Sequence, residues 1–175
     1  MKKTNFKRNP FITNPLLSVF TLVLLITLPA CAQRNVSTAS MSYALSSSDI
    51  KSMQDDILKL VNQHRSKLGL RSLQMNDIAT SEATKHSADM AKGRMSFGHD
   101  GFDERKSYLY KNVSGVTAIA ENVAYGKITA QQVVDMWLES PPHKKNIEGN
   151  YSLMGIGISQ SRDGYIYFTQ IFLLK

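Results

Sequence analysis

Leu153-Met154-Gly155-Ile156-Gly157-Ile158-Ser159-Gln160-Ser161-Arg162-Asp163-Gly164-Tyr165-Ile166-Tyr167-Phe168-Thr169-Gln170-Ile171-Phe172 decides the fold class, because here the apolar residues leave helical spacing and become strand-like. Residues 153–158 and 165–172 read as two strands, and Arg162-Asp163-Gly164 between them as a hairpin turn. A lone hairpin is marginal in water, so a third strand is required. The best candidate covers 123–125, which puts Glu121 at a strand edge.

Everything before that stretch favours helices. Ser48 is positioned to cap a helix from Asp49 whose apolar face carries Ile50, Met53, Ile57, Leu60, Val61 and Leu68, with His64 beside them and Gly69 as its stop. A short extended piece over 70–75 leads to Asn76 or Asp77 as the cap of a second helix, which runs through Lys92 and stops at Gly93. Its buried side is marked by Ile78 or Ala79, Ala83, His86 or Ser87, and Met90. A third helix is expected over 103–111. A fourth opens at Thr129-Ala130-Gln131-Gln132, a capping-box pattern, buries Val133, Val134, Trp137 and Leu138, and closes before Pro141-Pro142. Helices first and a hairpin last predict an α+β domain, an antiparallel sheet flanked by helices.

The N-terminus belongs to a different kind of segment. Residues 1–14 carry Lys2, Lys3, Lys7 and Arg8 and no acid, and 16–30 are apolar apart from Ser18 and two threonines, the pattern of a secretion signal shorter than a spanning helix. It ends in Leu28-Pro29-Ala30-Cys31, whose cysteine is the sole one among 175 residues. This resembles the lipobox of bacterial lipoproteins. That implies lipidation of Cys31 as the first mature residue and, with Ala32 rather than Asp next, the outer membrane of a two-membraned bacterium. The same residues also fit a plain signal cut after Ala30 or Ala32.

Residues 31–48 suit a flexible tether, leaving 49–175 as the domain. Four of the 21 bases precede Cys31 while all 14 acids follow it, so the charge falls from +7 to +3. No nucleic-acid partner is expected at that balance. Without a disulfide the domain relies on its core.

Three residues distant in sequence point to one site. Glu121 sits among small and apolar neighbours in Ala120-Glu121-Asn122-Val123-Ala124, where an unpartnered carboxylate is costly. His99 lies in the turn Gly98-His99-Asp100-Gly101, and His143 follows the proline pair on a stiffened exit loop. Neutral imidazoles bind zinc or a related divalent metal, so His99 and His143 are candidate ligands, with Glu121 as ligand, orienting partner or base. The same three residues also suit a structural role, holding their own loops together. His64, His86 and Trp137 are expected to pack. Ser140 has no evident base, and Lys144 and Lys145 belong to a solvated loop. Tyr108, Tyr110 and Tyr125 are candidates to line a cleft.

Taken in order, Asn62-Gln63-His64-Arg65, Ala83 with His86 and Met90, His99, Glu121-Asn122, Trp137, Ser140 with His143 and Asn146-Ile147, Gly155-Ile156-Gly157 and residues 167–172 resemble the CAP superfamily. That family takes in cysteine-rich secretory, antigen 5 and pathogenesis-related proteins, and this chain is most similar to its bacterial, disulfide-free branch. The resemblance implies an α-β-α sandwich and a cleft with two histidines and acids, matched here by His99, Glu121 and His143. Animal and plant members usually carry a second Glu where Ser140 stands, and Glu139 is one residue early. The expected function is binding of a lipid, glycan or peptide in the cell envelope, with or without a divalent metal. The alternative is a hydrolase in which His99, Glu121 and His143 activate water.

Overall fold

The structure, a computed structural model, describes residues 44–175. The expected signal peptide, Cys31 and most of the expected tether lie outside the described residues. Among the described residues no helix is long and apolar enough to cross a membrane.

The chain folds as α1 (Ser47–Lys67), β1 (Gln74–Met75), α2 (Asp77–Ala91), α3 (Phe102–Asn112), β2 (Ala118–Gly126), α4 (Ala130–Glu139), α5 (Pro141–Ile147), β3 (Leu153–Gln160) and β4 (Ile166–Leu174). The four strands lie in the order β1-β3-β4-β2. The hairpin pairs as expected, with Gly155 opposite Ile171 and Gly157 opposite Thr169, and Gly164 takes the positive φ its turn needs. The third strand is longer than its sequence signal: Glu121 lies inside β2 opposite Ile171, and β2 itself forms the sheet's edge. The piece over 70–75 contributes a two-residue strand parallel to β3, so the sheet is not wholly antiparallel.

Side chains alternate across this sheet and meet two layers of helices, which makes an α-β-α sandwich. On one face α2 and α3 cover Ile171 and Leu173 through Ala79, Ala83 and Leu109. On the other, Ile57 and Val61 of α1 and Val134 and Trp137 of α4 pack with Met154, Phe168 and Phe172. The first contact is very close: a Cβ at Gly155 or Gly157 would overlap the backbone of Ala79 or Ala83, so only glycine admits α2 at this separation.

Local signals set most helix ends. The expected Thr129–Gln132 capping box is formed, and Asn76 caps α2. The α1 cap is Ser46, not Ser48, because Asp49 stands three residues after Ser46 and completes a capping box there. Leu68, expected on the buried face, follows the helix and is 52% exposed, since Gly69 turns the chain away with φ 69°. The segment after α4 also differs from expectation. Pro141 and Pro142 start a new helix, α5, because proline fits a first turn that has no amide to lose. His143 is therefore a helical residue.

Candidate functional site

Glu121 is buried, its side chain only 1% exposed, on the α2 and α3 side of β2. Its carboxylate is gripped by Arg105 of α3, whose Nε donates to Oε2 (2.9 Å) and Nη2 to Oε1 (2.7 Å). This two-point geometry suits a planar guanidinium and satisfies a charge that could not stay buried alone. Arg105 also donates to the Asp100 carbonyl (2.8 Å), tying α3 to the His99 turn. At Gly101 the backbone has φ 73°, and a Cβ there would lie 3.2 Å from the guanidinium, so glycine serves both the turn and the arginine's passage.

His99 completes the carboxylate's partners, Nδ1–H donating to Glu121 Oε1 at 2.9 Å. That bond fixes the tautomer and leaves Nε2 with its lone pair free on a side chain that is 49% exposed. Behind the turn, buried His86 bonds through Nε2 to the Gly98 carbonyl at 2.9 Å. The expectation that His86 packs is met, with the added task of holding the segment from which His99 projects. Burial, foremost, and the nearby Arg105 keep His86 below the ordinary imidazole value of 6.5, so it is neutral at pH 7.

His143 approaches from the other layer. Asn122, the neighbour of Glu121, points to the opposite sheet face and donates to the His143 carbonyl (3.2 Å). Asn146 donates to Asn122 Oδ1 (2.8 Å) and to the Glu121 carbonyl (3.2 Å). These bonds hold α5 against edge strand β2. Desolvation first, and His99 in smaller part, hold His143 below its ordinary value. Its Nδ1 shares a 2.8 Å hydrogen bond with Ser140 Oγ. A hydroxyl thus orients this ring at the position where a second acid was expected, while Glu139 is exposed.

Glu121, His99 and the α5 segment bearing His143 are therefore brought together at one sheet edge. Arg105 was not singled out from sequence, although the line Arg105–Leu109–Val113 at helical spacing put an arginine on a buried stripe. Ser140, set aside for want of a base, has an imidazole beside it. His64 pairs instead with Glu148 (2.8 Å), and Lys144 lies 3.8 Å from the same carboxylate. Tyr108 sits under Lys85 on α3. A cavity of about 690 Å³ between α1 and the start of α4, lined by Leu45, Met53, Leu60 and Ile128, includes none of the three site residues.

Among the described residues the donor set falls short of a resident metal site. Each imidazole has its Nδ1 engaged, His99 by Glu121 and His143 by Ser140. Both Glu121 oxygens are engaged, and among the described residues no group of three or more His, Cys, Asp or Glu could hold a metal ion. Two protein ligands are fewer than the three or four of resident zinc sites.

The sandwich and this pair of imidazoles backed by a buried acid define the class: the chain belongs to the CAP family, the cysteine-rich secretory protein family, whose model matches residues 58–172. Among individual relatives it is 33% identical over 154 residues to protein YkwD of Bacillus subtilis, itself described as uncharacterized, covering 84% of this chain and 55% of that one. The chain thus spans about half that relative's length. An extracellular protein containing an SCP domain from Bacillus anthracis superposes with a TM-score of 0.63 at 25% identity, over 75% of this chain and 44% of that one. An outer surface protein of Borrelia burgdorferi does so with a TM-score of 0.61 at 22% identity, over 73% and 96%.

Proposed function

We propose that this chain is an exported, lipid-anchored CAP domain that binds a ligand of the cell envelope at the edge bearing His99 and His143 and does not cleave it. The observation that carries this reading is the grip of Arg105 on Glu121. A general base needs a lone pair that a substrate proton can reach, and this carboxylate accepts three bonds from a permanent cation and an imidazole on a side chain only 1% exposed. What remains accessible is Nε2 of His99, and Nε2 of His143 when Nδ1 donates to Ser140. These nitrogens offer a divalent metal two ligands at most, and when bound it would present open positions to an anionic or carbonyl group of the ligand. The export signal, the Cys31 motif and relatives described as extracellular or outer-surface proteins support the location.

Zinc titration by calorimetry tests the site. His143→Ala weakens uptake about tenfold or more while the melting temperature stays nearly unchanged, because removing one of two ligands removes most of a two-ligand affinity. Uptake that survives in both His99→Ala and His143→Ala refutes the metal part. Exchange of Cys31 for Ser releases the protein from membranes; undiminished retention would exclude the anchor.

One observation favours a hydrolase instead, the Ser140 Oγ–His143 Nδ1 contact at 2.8 Å. A serine paired with an imidazole becomes a nucleophile only if a third group orients the ring and donors await an oxyanion. A fluorophosphonate probe decides the matter. Labelling at Ser140 that vanishes in His143→Ala would establish the hydrolase reading; an unlabelled Ser140 supports binding.

A further inference from the structure

Three strands of the sheet finish together at one end of the domain: Gln160 of β3, Ile166 of β4 and Gly126 of β2 are partners in register. The same end receives the chain from its N-terminal side. The Leu45 amide donates to Gln160 Oε1 (2.9 Å), and Ala44 and Leu45 share a hollow with Gln160, Ser161 and Arg162 at the β3–β4 turn. Residues 31–44 are all that separates Cys31 from this point, a length that spans about 50 Å at most. A lipid on that cysteine therefore keeps this end within reach of the bilayer.

The side chains displayed here match such a surface. Phe97, Tyr125 and Tyr165 are 48%, 46% and 38% exposed, and none of them belongs to either core. An apolar patch left open in this way marks a contact surface. Tyr125 joins the three, its ring centre 4.7 Å from Phe97 and 6.0 Å from Tyr165, at tilts of 53° and 42°. Rings set at angles make a rugged tuft rather than a flat bed, and a tuft can enter the fluid zone between headgroups and acyl chains without a matching shape. Tyrosine is favoured in that zone because its ring is apolar while its hydroxyl stays wet.

The charge around the rings has the complementary sign. Lys127 lies 5.0 Å over the Tyr165 ring. Lys92, just past the end of α2, shares a second hollow with Arg162 and Asp163 of the turn. Among neighbouring acids, Asp89 pairs with Arg94, and Asp49 turns its carboxylate onto the Ser46 amide (2.9 Å) and hydroxyl (2.6 Å) at the positive start of α1. Lys92, Lys127 and Arg162 thus stand against Asp163 and the capped Asp49, and residues 31–43 add Arg34 and no acid. A net cationic rim attracts phosphate-bearing headgroups over a Debye length of about 8–10 Å.

We propose that the end of the domain bearing Phe97, Tyr125, Tyr165, Lys92, Lys127 and Arg162 is a second membrane contact, docking on an anionic phospholipid surface beside the lipidated Cys31. This deepens the lipid-anchored reading above and rests on it. The anchor supplies the local concentration at which a weak cationic and aromatic patch becomes effective. Docking also fixes where the imidazoles stand. Tyr125 is four residues beyond Glu121 on β2, so the His99 and His143 edge lies no more than about 14 Å along the strand from the headgroups.

The test supplies the anchor chemically. The mature chain is coupled through Cys31, its sole thiol, to a maleimide phospholipid in vesicles of phosphatidylcholine alone or of an equal mixture with phosphatidylglycerol. Hydroxyl-radical labelling of side chains is then read by mass spectrometry. Labelling of Phe97, Tyr125 and Tyr165 is expected to fall several-fold on the anionic vesicles, while Tyr108 and Tyr110 of α3, comparably exposed at 43% and 44%, keep theirs. Lys127→Glu combined with Arg162→Glu changes two exposed side chains and should restore the labelling. In cosedimentation of Cys31→Ser protein the same pair should lower affinity for the anionic vesicles about tenfold. Equal labelling on the two kinds of vesicle overturns the proposal, as does protection that falls on Tyr108 and Tyr110 instead, or a charge reversal without effect. Failure of the anchor reading is separable: Cys31 of protein taken from its own cells then carries no acyl mass, whatever the labelling shows on coupled vesicles. Failure of the docking face leaves that acyl mass in place.

Discussion

Glu121 and Asn122 are neighbours in sequence and serve opposite layers of the sandwich. Glu121 meets charge, an arginine and an imidazole, over helices packed onto glycine. Asn122 meets amides and carbonyls, bonding to His143, Asn146 and Gln170 beside a core of large apolar side chains. One face thus holds an ion in a tight mould, and the other positions a short helix by neutral hydrogen bonds. The difference teaches that an acid–amide pair on a strand joins two layers at a sheet edge, so a site can draw one imidazole from each side.

The largest effect is expected on the charged face. Arg105→Ala leaves a buried carboxylate unpaired and should cost about 3–5 kcal/mol in chemical denaturation. Adding Glu121→Gln should recover part of that loss, and a double variant no better than the single would break the account of the pair. Next comes the mould. Gly157→Ala should cost about 3 kcal/mol, because the added methyl overlaps Ala83 backbone that cannot yield without shifting α2. On the neutral face Asn122→Ala should cost about 1–2 kcal/mol, and it should also disturb His143 signals more than His99 signals in NMR.

The smallest effect is a pH dependence. His86 has its proton affinity lowered in the fold by burial first, by Arg105 and by His99, with the Gly98 carbonyl and Glu121 acting the other way. The unfolded chain therefore binds the proton more readily. The stability this residue contributes is complete above its ordinary value of 6.5 and is lost as pH falls below that toward the lower folded value. Urea midpoints measured on both sides of pH 6.5 should show that fall, and His86→Gln should flatten it.

Much of this was legible in the chain. The hairpin, the Thr129 cap and the alternation Gly155–Gly157 announce themselves through local rules that need no partner. Arg105 did not, because an arginine on a helix is ordinarily a solvated charge, and only Glu121 arriving from β2 gives it a reason to be buried. The α5 helix was hidden for a related reason. Proline pairs end helices and begin them equally well, and which occurs depends on contacts made by Asn122 and Asn146. Cys31 and the signal were legible as motifs and lie outside the described residues.

One feature of α1 reaches further than its position suggests. Buried Arg65 donates to the carbonyls of Ile147 (2.7 Å), Gly149 (2.8 Å), Tyr151 (3.2 Å) and Arg71 (2.9 Å). A seven-residue helix is too short to persist unaided. Its far end is therefore pinned by a guanidinium from a distant part of the sequence. A genetic screen for loss of ligand affinity should return substitutions at Arg65 alongside those at His143, and the Arg65 variants would be rescued by lower temperature, as lost pinning is and lost chemistry is not.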